Sequence, residues 1–291
     1  VSPDLGSGAG AGVGDLAAEM RAAAELLSRP QPTGARTATK GHGRTSDLSI
    51  DEELALHSVG WEPIQLICGA SIHSVPSGVW NWGQGEIAYA SNAYAQAFAE
   101  AADRAHRECT DAGGRGVVGV HVEAVVHPHH VDVTLVGTAV RPVGAKGLSP
   151  DPIFISDLSG RDFALLHNAG WVPVGIAAGA SFVYAPRRSA GVALQQTRQN
   201  VELTNFTEAM YAARESAMER MQEAALAISG AGVIGVHVEE GPMYFASHAV
   251  GFTAYGTVVS PVGDHTLIDP LMVLPLDDPV VEFDVGSLRG G

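Results

Sequence analysis

From Asp47 to Ser71 the chain reads DLSIDEELALHSVGWEPIQLICGAS, and from Asp157 to Ser181 it reads DLSGRDFALLHNAGWVPVGIAAGAS. The two stretches share Asp, Leu, Ser, Leu, His, Gly, Trp, Pro and the closing Gly-Ala-Ser, in one order and at one spacing. Agreement of this length predicts one small unit used twice. Further matches extend it: GVVGVHVEA from Gly116 pairs with GVIGVHVEE from Gly232, and GTAVRPVG from Gly137 pairs with GTVVSPVG from Gly256.

These matches set the expected organisation. Residues 1–46 form an N-terminal flexible segment with a short helix over Asp15–Ser28, followed by a first repeat over 47–144. A linker over 145–156, a second repeat over 157–263 and a tail over 264–291 complete the chain. The changing offset between matches puts one insertion of the second copy between Ser181 and Glu202 and another after Glu240, in loops, where added length costs little.

Each copy opens with a helix start signal, Ser49 with Glu52 and Ser159 with Asp162, and a helix stop signal, Gly60 before Trp61 and Gly170 before Trp171. An alternating segment follows, Ile64, Leu66 and Cys68 in one copy and Val174, Ile176 and Ala178 in the other, which predicts a strand. Next comes a long helix with apolar residues at steps of three and four, Tyr94, Ala97, Ala101, Ala105 and Cys109, matched by Met210, Ala213, Ala217, Met221 and Ala225. Two glycine-bounded strands close the unit. The fold class is therefore α/β of the α+β kind: a tandem β-α-β-β unit, each copy preceded by a short helix. A three-stranded sheet leaves edges that must be covered, so the sheets are expected to pair between repeats or subunits.

The 291 residues are 46% hydrophobic and carry a formal charge of -15. Such a surface repels phosphate backbones and anionic lipid, so neither a nucleic-acid nor a membrane partner is expected. Cys68 and Cys109 have alanine at the matching positions of the second copy, Ala178 and Ala225, and no secretory leader pattern opens the sequence. Both points lead to a cytoplasmic expectation. The most apolar stretch, Ala169–Ala185, contains Pro173 and several glycines and matches an ordinary strand segment of the first copy, so it is read as core.

With these residues in view, the chain resembles the YbjQ family of small proteins described as heavy-metal-binding. The resemblance rests on the Gly-Ala-Ser at Gly69 and Gly179, where the family tends to have Gly-Ala-Asn, and on the Ala/Glu/Arg-rich helix running into GVVGVHVE or GVIGVHVE. The Gly-Thr-Ala-Val of Gly137 completes it. It implies a β-α-β-β core, assembly into pentamer-like rings and no assigned activity. Duplication, inserted loops and the aromatic GVWNWGQGE segment from Gly78 depart from the family pattern, and Trp80 and Trp82 there are candidates for a partner or ligand surface.

Candidate metal ligands come from strand alternation. His121 and Glu123 share one face of their strand, and His237 and Glu239 repeat them in the second copy. If the following turn centres near Val126 and His127, Asp132 falls opposite His121 and His130 opposite Glu123, which gathers four nitrogen and oxygen ligands suited to a divalent transition metal such as zinc. In that register the second copy offers only Ala249 and Gly251 across from Glu239 and His237. His57 and His167 sit in last turns of short helices, where an imidazole complements the helix dipole.

There is no Gly-x-Ser-x-Gly elbow, phosphate loop, dinucleotide fingerprint, Cys-x-x-Cys or His-Glu-x-x-His in the chain. The functional expectation is accordingly a non-enzymatic, ring-forming, self-associating assembly or binding protein of unknown ligand. Its alternative is a heavy-metal-binding protein using His121, Glu123, His130 and Asp132.

Overall fold

The computed structural model describes residues 45–80, 83–144, 153–186, 202–241, 243, 245, 246 and 248–262, all within the unit that begins at Arg44. The expected helix over Asp15–Ser28, Trp82, most of the insertion after Tyr184 and the tail from 264 lie outside these residues.

The first half runs α1 (Ile50–Ser58), β1 (Trp61–Ser74), α2 (Ala88–Asp111), β2 (Gly116–Val126) and β3 (His130–Pro142). α1 begins at a capping box in which the Glu52 carboxylate accepts the Ser49 N–H at 2.7 Å, and Gly60, at φ 78°, turns the chain out of the helix. α2 lies close on its sheet because its stripe is small: Ala93, Ala97, Ala101, Ala105 and Cys109 are all buried. Opposite them Gly69 has no side chain, and the backbone of Ala101 and Ala105 fills the place a Cβ would need.

The short β4 (Phe154–Ile155) leads into a second half with the same five elements: α3 (Gly160–Asn168), β5 (Trp171–Tyr184), α4 (Thr204–Ala227), β6 (Gly232–Glu240) and β7 (Ala249–Pro261). Agreement extends to irregularities. β1 and β5 each slip register after a proline, at Pro63/Gln65 and Pro173/Gly175. β2 and β6 each bulge at a glycine with φ 63°, Gly119 and Gly235. One detail differs between the halves: after α4 the left-handed residue is Ser229 (φ 60°), whereas after α2 it is Gly113 (φ 76°).

The sheets have orders β1-β3-β2-β4 and β5-β7-β6, and the architecture is mixed α and β. Pairing between the halves takes two forms: β4 runs parallel to β2, and Glu86 forms a bridge with Val183 on β5. α2 is thereby held between the two sheets, with one face on Ile67 and Leu135 and the other reaching Ala180, Phe182 and Tyr255. Tyr94 and Phe98, both buried on this helix, each stabilise the layer by about 1.5–3 kcal/mol. Among the described residues α4 has a sheet on one side only, and its buried residues reduce to the single stripe Ala209, Ala213, Ala217, Met221 and Ala225. No described helix is long and apolar enough to cross a membrane.

Candidate functional site

The hairpin β2–β3 carries the expected ligands, and its register differs from expectation. His121 faces Val136, Glu123 faces Thr134, and Asp132 faces Val125. The turn centres on Pro128 and His129, closed by the His127 N–H donating to His130 O at 2.8 Å. A turn placed two residues later moves the register by four, or about 13 Å along the strand. His121 and Glu123 are thus carried away from Asp132 and His130, although all four remain on one face of the sheet. Pro128 was the available signal, since proline favours the second position of a turn.

What the hairpin does assemble is His127, His130 and Asp132. Their nearest ligand-type atoms all lie within 4.8 Å of one another, and this is the one such group among the described residues. Asp132 stands 3.3 Å from Nε2 of each histidine, and the two imidazoles stack at 4.4 Å. The carboxylate therefore already has two cationic partners whenever the rings are protonated, on a half-exposed hairpin end.

In the second half, His237 stacks on Tyr255 at 4.9 Å and reaches the carboxylate of Asp157 at 3.3 Å, while Glu239 faces Thr253. Asp157 was not anticipated as part of a site. Its N–H donates to Thr257 Oγ1 at 3.0 Å, and the Thr257 hydroxyl donates back to the Asp157 carboxylate. Burial raises this carboxyl above the ordinary aspartate value, opposed by the Thr257 hydrogen bond and by His237. The first half repeats the clip with Asp47 and Thr138. Both partners were visible in the sequence as recurring motif residues, but their sequence separation hid the contact.

Trp80 belongs to the core. It is 6% exposed, packs edge-on against Phe182 and Phe245, and its indole N–H donates to Pro128 O at 2.8 Å. Trp61 likewise packs edge-on against Phe154 and Phe163 across the joint between halves. The N-termini of α1 and α3 border an open polar hollow containing Asp51, Glu52, Arg161 and Asp162, in which Arg161 pairs with Asp51. Each acid there serves a cap or an ion pair. Cys68 is an exposed free thiol and Cys109 a buried one.

Among the described residues the protein is a two-sheet α+β fold in which strands β1 and β6 lie at sheet edges. A family model described as "putative heavy-metal-binding", that of the YbjQ family, matches residues 193–261, within the second half. The chain is 35% identical over 242 residues to the encapsulin nanocompartment protein Rv1762c of Mycobacterium tuberculosis, covering 80% of this chain and 92% of that protein. It belongs to the family of that protein. No solved structure matches the chain at a significant level.

This relative overturns the functional expectation as framed. It is described as an encapsulin nanocompartment protein, neither a ring of unknown ligand nor a heavy-metal-binding protein. Only the assembly part of that expectation agrees with it.

Proposed function

We propose that this protein is a non-enzymatic building block that associates with copies of itself into a protein compartment. The observation that carries the reading is the 35% identity to a nanocompartment protein across 92% of that protein's length. Surface chemistry supports it. Ile72, Leu66, Val236 and Val238 lie exposed on strands, an arrangement that solitary proteins usually cover. The matching order, register and bulges of the two halves support reading them as tandem copies of one unit. Two unbridged thiols fit a reducing compartment such as the cytoplasm.

The test is light scattering coupled to size exclusion, with negative-stain microscopy of the same peak, on untagged protein. Discrete particles many times the 30.1 kDa of one chain are expected. A monodisperse single chain at micromolar concentration would overturn the reading.

A further inference from the structure

Besides the packing of Trp61, Trp80 and the two short helices, three sets of contacts seat the second half on the first inside one chain. β4 lines the edge of β2, with the Ser156 N–H donating to Val117 O at 2.9 Å and the Val120 N–H donating to Ser156 O at 3.0 Å. The segment before α2 and the first turn of that helix line the edge of β5: the Ile87 N–H donates to Phe182 O at 2.7 Å, and Ser91 Oγ accepts the Phe182 N–H at 3.3 Å. Arg220 on α4 pairs with Glu86 at 2.5 Å. That ion pair holds the Glu86 carboxyl below its ordinary value.

Each of these surfaces has a counterpart in the other half; among the described residues the apolar counterparts stand exposed, while Arg104 pairs with Glu100 at 3.2 Å and Glu202 accepts the Thr207 hydroxyl at 2.8 Å, contacts that a partner would have to share or replace. On β2, Gly116 is buried under the ring of Phe154; at the matching place on β6, a Cβ on Gly232 would meet nothing within 4 Å. Ile87 is 3% exposed, and Leu203 in its place before α4 is 42% exposed. Phe182 is 0% exposed, and Ile72 in its place on β1 is 67% exposed. The polar partners recur as well. Glu202 and Thr207 occupy the positions of Glu86 and Ser91, and Arg104 occupies the position of Arg220.

We propose that the joint between the two halves is repeated between chains, with the second half of one copy receiving the first half of the next. Leu203 of one copy then packs beside Ile72 of the other, Glu202 pairs with Arg104, and the open face of the first sheet covers α4 as the second sheet covers α2. The inference rests on the self-assembly reading and specifies its contact. The occupant is a second copy of this chain because both complementary surfaces, acid for base and apolar for apolar, lie on the same chain. Such a contact is head-to-tail and therefore directional.

The two kinds of joint are related but not identical. Gly160 sits against Glu52, whose backbone oxygen leaves no room for a Cβ. At the matching position α1 carries Ile50, and Leu54 stands where α3 has Ala164. Between chains, α1 and α3 consequently stand farther apart than within a chain, and the exposed Ile50 and Leu54 fill the added space.

The experiment uses full-length protein and surface variants. Ile72→Glu and Leu203→Glu alter side chains exposed in the single chain, so circular dichroism and the unfolding midpoint of the dissociated protein should stay unchanged. Each should raise the concentration for half-assembly about tenfold or more. Glu202→Arg and Arg104→Glu should each weaken assembly, and the double exchange should restore it. Assembly that persists in both glutamate variants, or a double exchange no better than the single ones, would overturn this joint while leaving self-assembly standing. A wild-type protein that stays a single chain would instead remove the reading on which the joint rests.

Discussion

The ring of Phe154 lies over the bare Cα of Gly116, in the place a side chain on β2 would need. This contact is one of those that join the halves, because Phe154 belongs to the strand that leads into α3 while Gly116 opens the strand that follows α2. Gly116→Val should therefore push β4 off its edge and destabilise the chain by about 1–3 kcal/mol. Gly232→Ala, with nothing near the added carbon, should leave the stability of a dissociated chain within about 0.5 kcal/mol. Urea unfolding of both variants decides; equal losses would show that Phe154 does not depend on the glycine.

Trp80 ties the loop before α2 to the second half through Phe182 and Phe245 and to the β2–β3 turn through Pro128. Trp80→Ala should cost about 3–5 kcal/mol. Trp80→Phe keeps most of the packing and should lose mainly the indole hydrogen bond, about 1 kcal/mol. Comparable losses in both variants, measured by chemical denaturation, would assign the weight to the hydrogen bond instead.

Asp157 gives a pH signature with a definite sign. Burial raises its folded pKa above the unfolded one, so its contribution is fully present below the ordinary aspartate range and is lost as pH rises through the folded value. Asp157→Asn keeps an oxygen to accept the Thr257 hydroxyl and removes the titration. The stability difference, variant minus wild type, should grow as pH rises from the ordinary aspartate range through the elevated value. Thermal melts from pH 3.5 to 7 test this, and a difference that shrinks with pH would reverse the assignment.

The two cysteines should separate cleanly by reactivity. Cys68 is exposed on β1, whereas Cys109 is buried under Gly114 and Gly116 with its thiol pushed up to about 12, chiefly by burial. A thiol reagent should label Cys68 in the folded, dissociated chain, slowly at neutral pH because partial burial and Glu108 raise its pKa, and faster as pH rises. Cys109 should react only on unfolding. Labelling of Cys109 at the rate of Cys68 would contradict the packing of α2.

Short-range rules carried much of the fold into the sequence. Ser49, Glu52 and Gly60 bound α1 as their spacing indicates, and the small stripe Ala97, Ala101, Ala105 and Cys109 marks the buried face of α2. The candidate site was less legible. His121, Glu123, His130 and Asp132 do share a face, as strand alternation requires, but their separation depended on where one turn fell.

The sequence by itself determined the two matching halves, their order of helices and strands, and the face on which each strand residue lies, because these follow from interactions within a few residues. Tertiary structure alone decided that Asp157 meets Thr257 and His237, that His127 joins His130 and Asp132, and that α2 is enclosed while α4 is half bare. Those outcomes depend on register and on packing between distant segments, where a shift of two residues in a turn or one bulky side chain in place of glycine changes which groups touch.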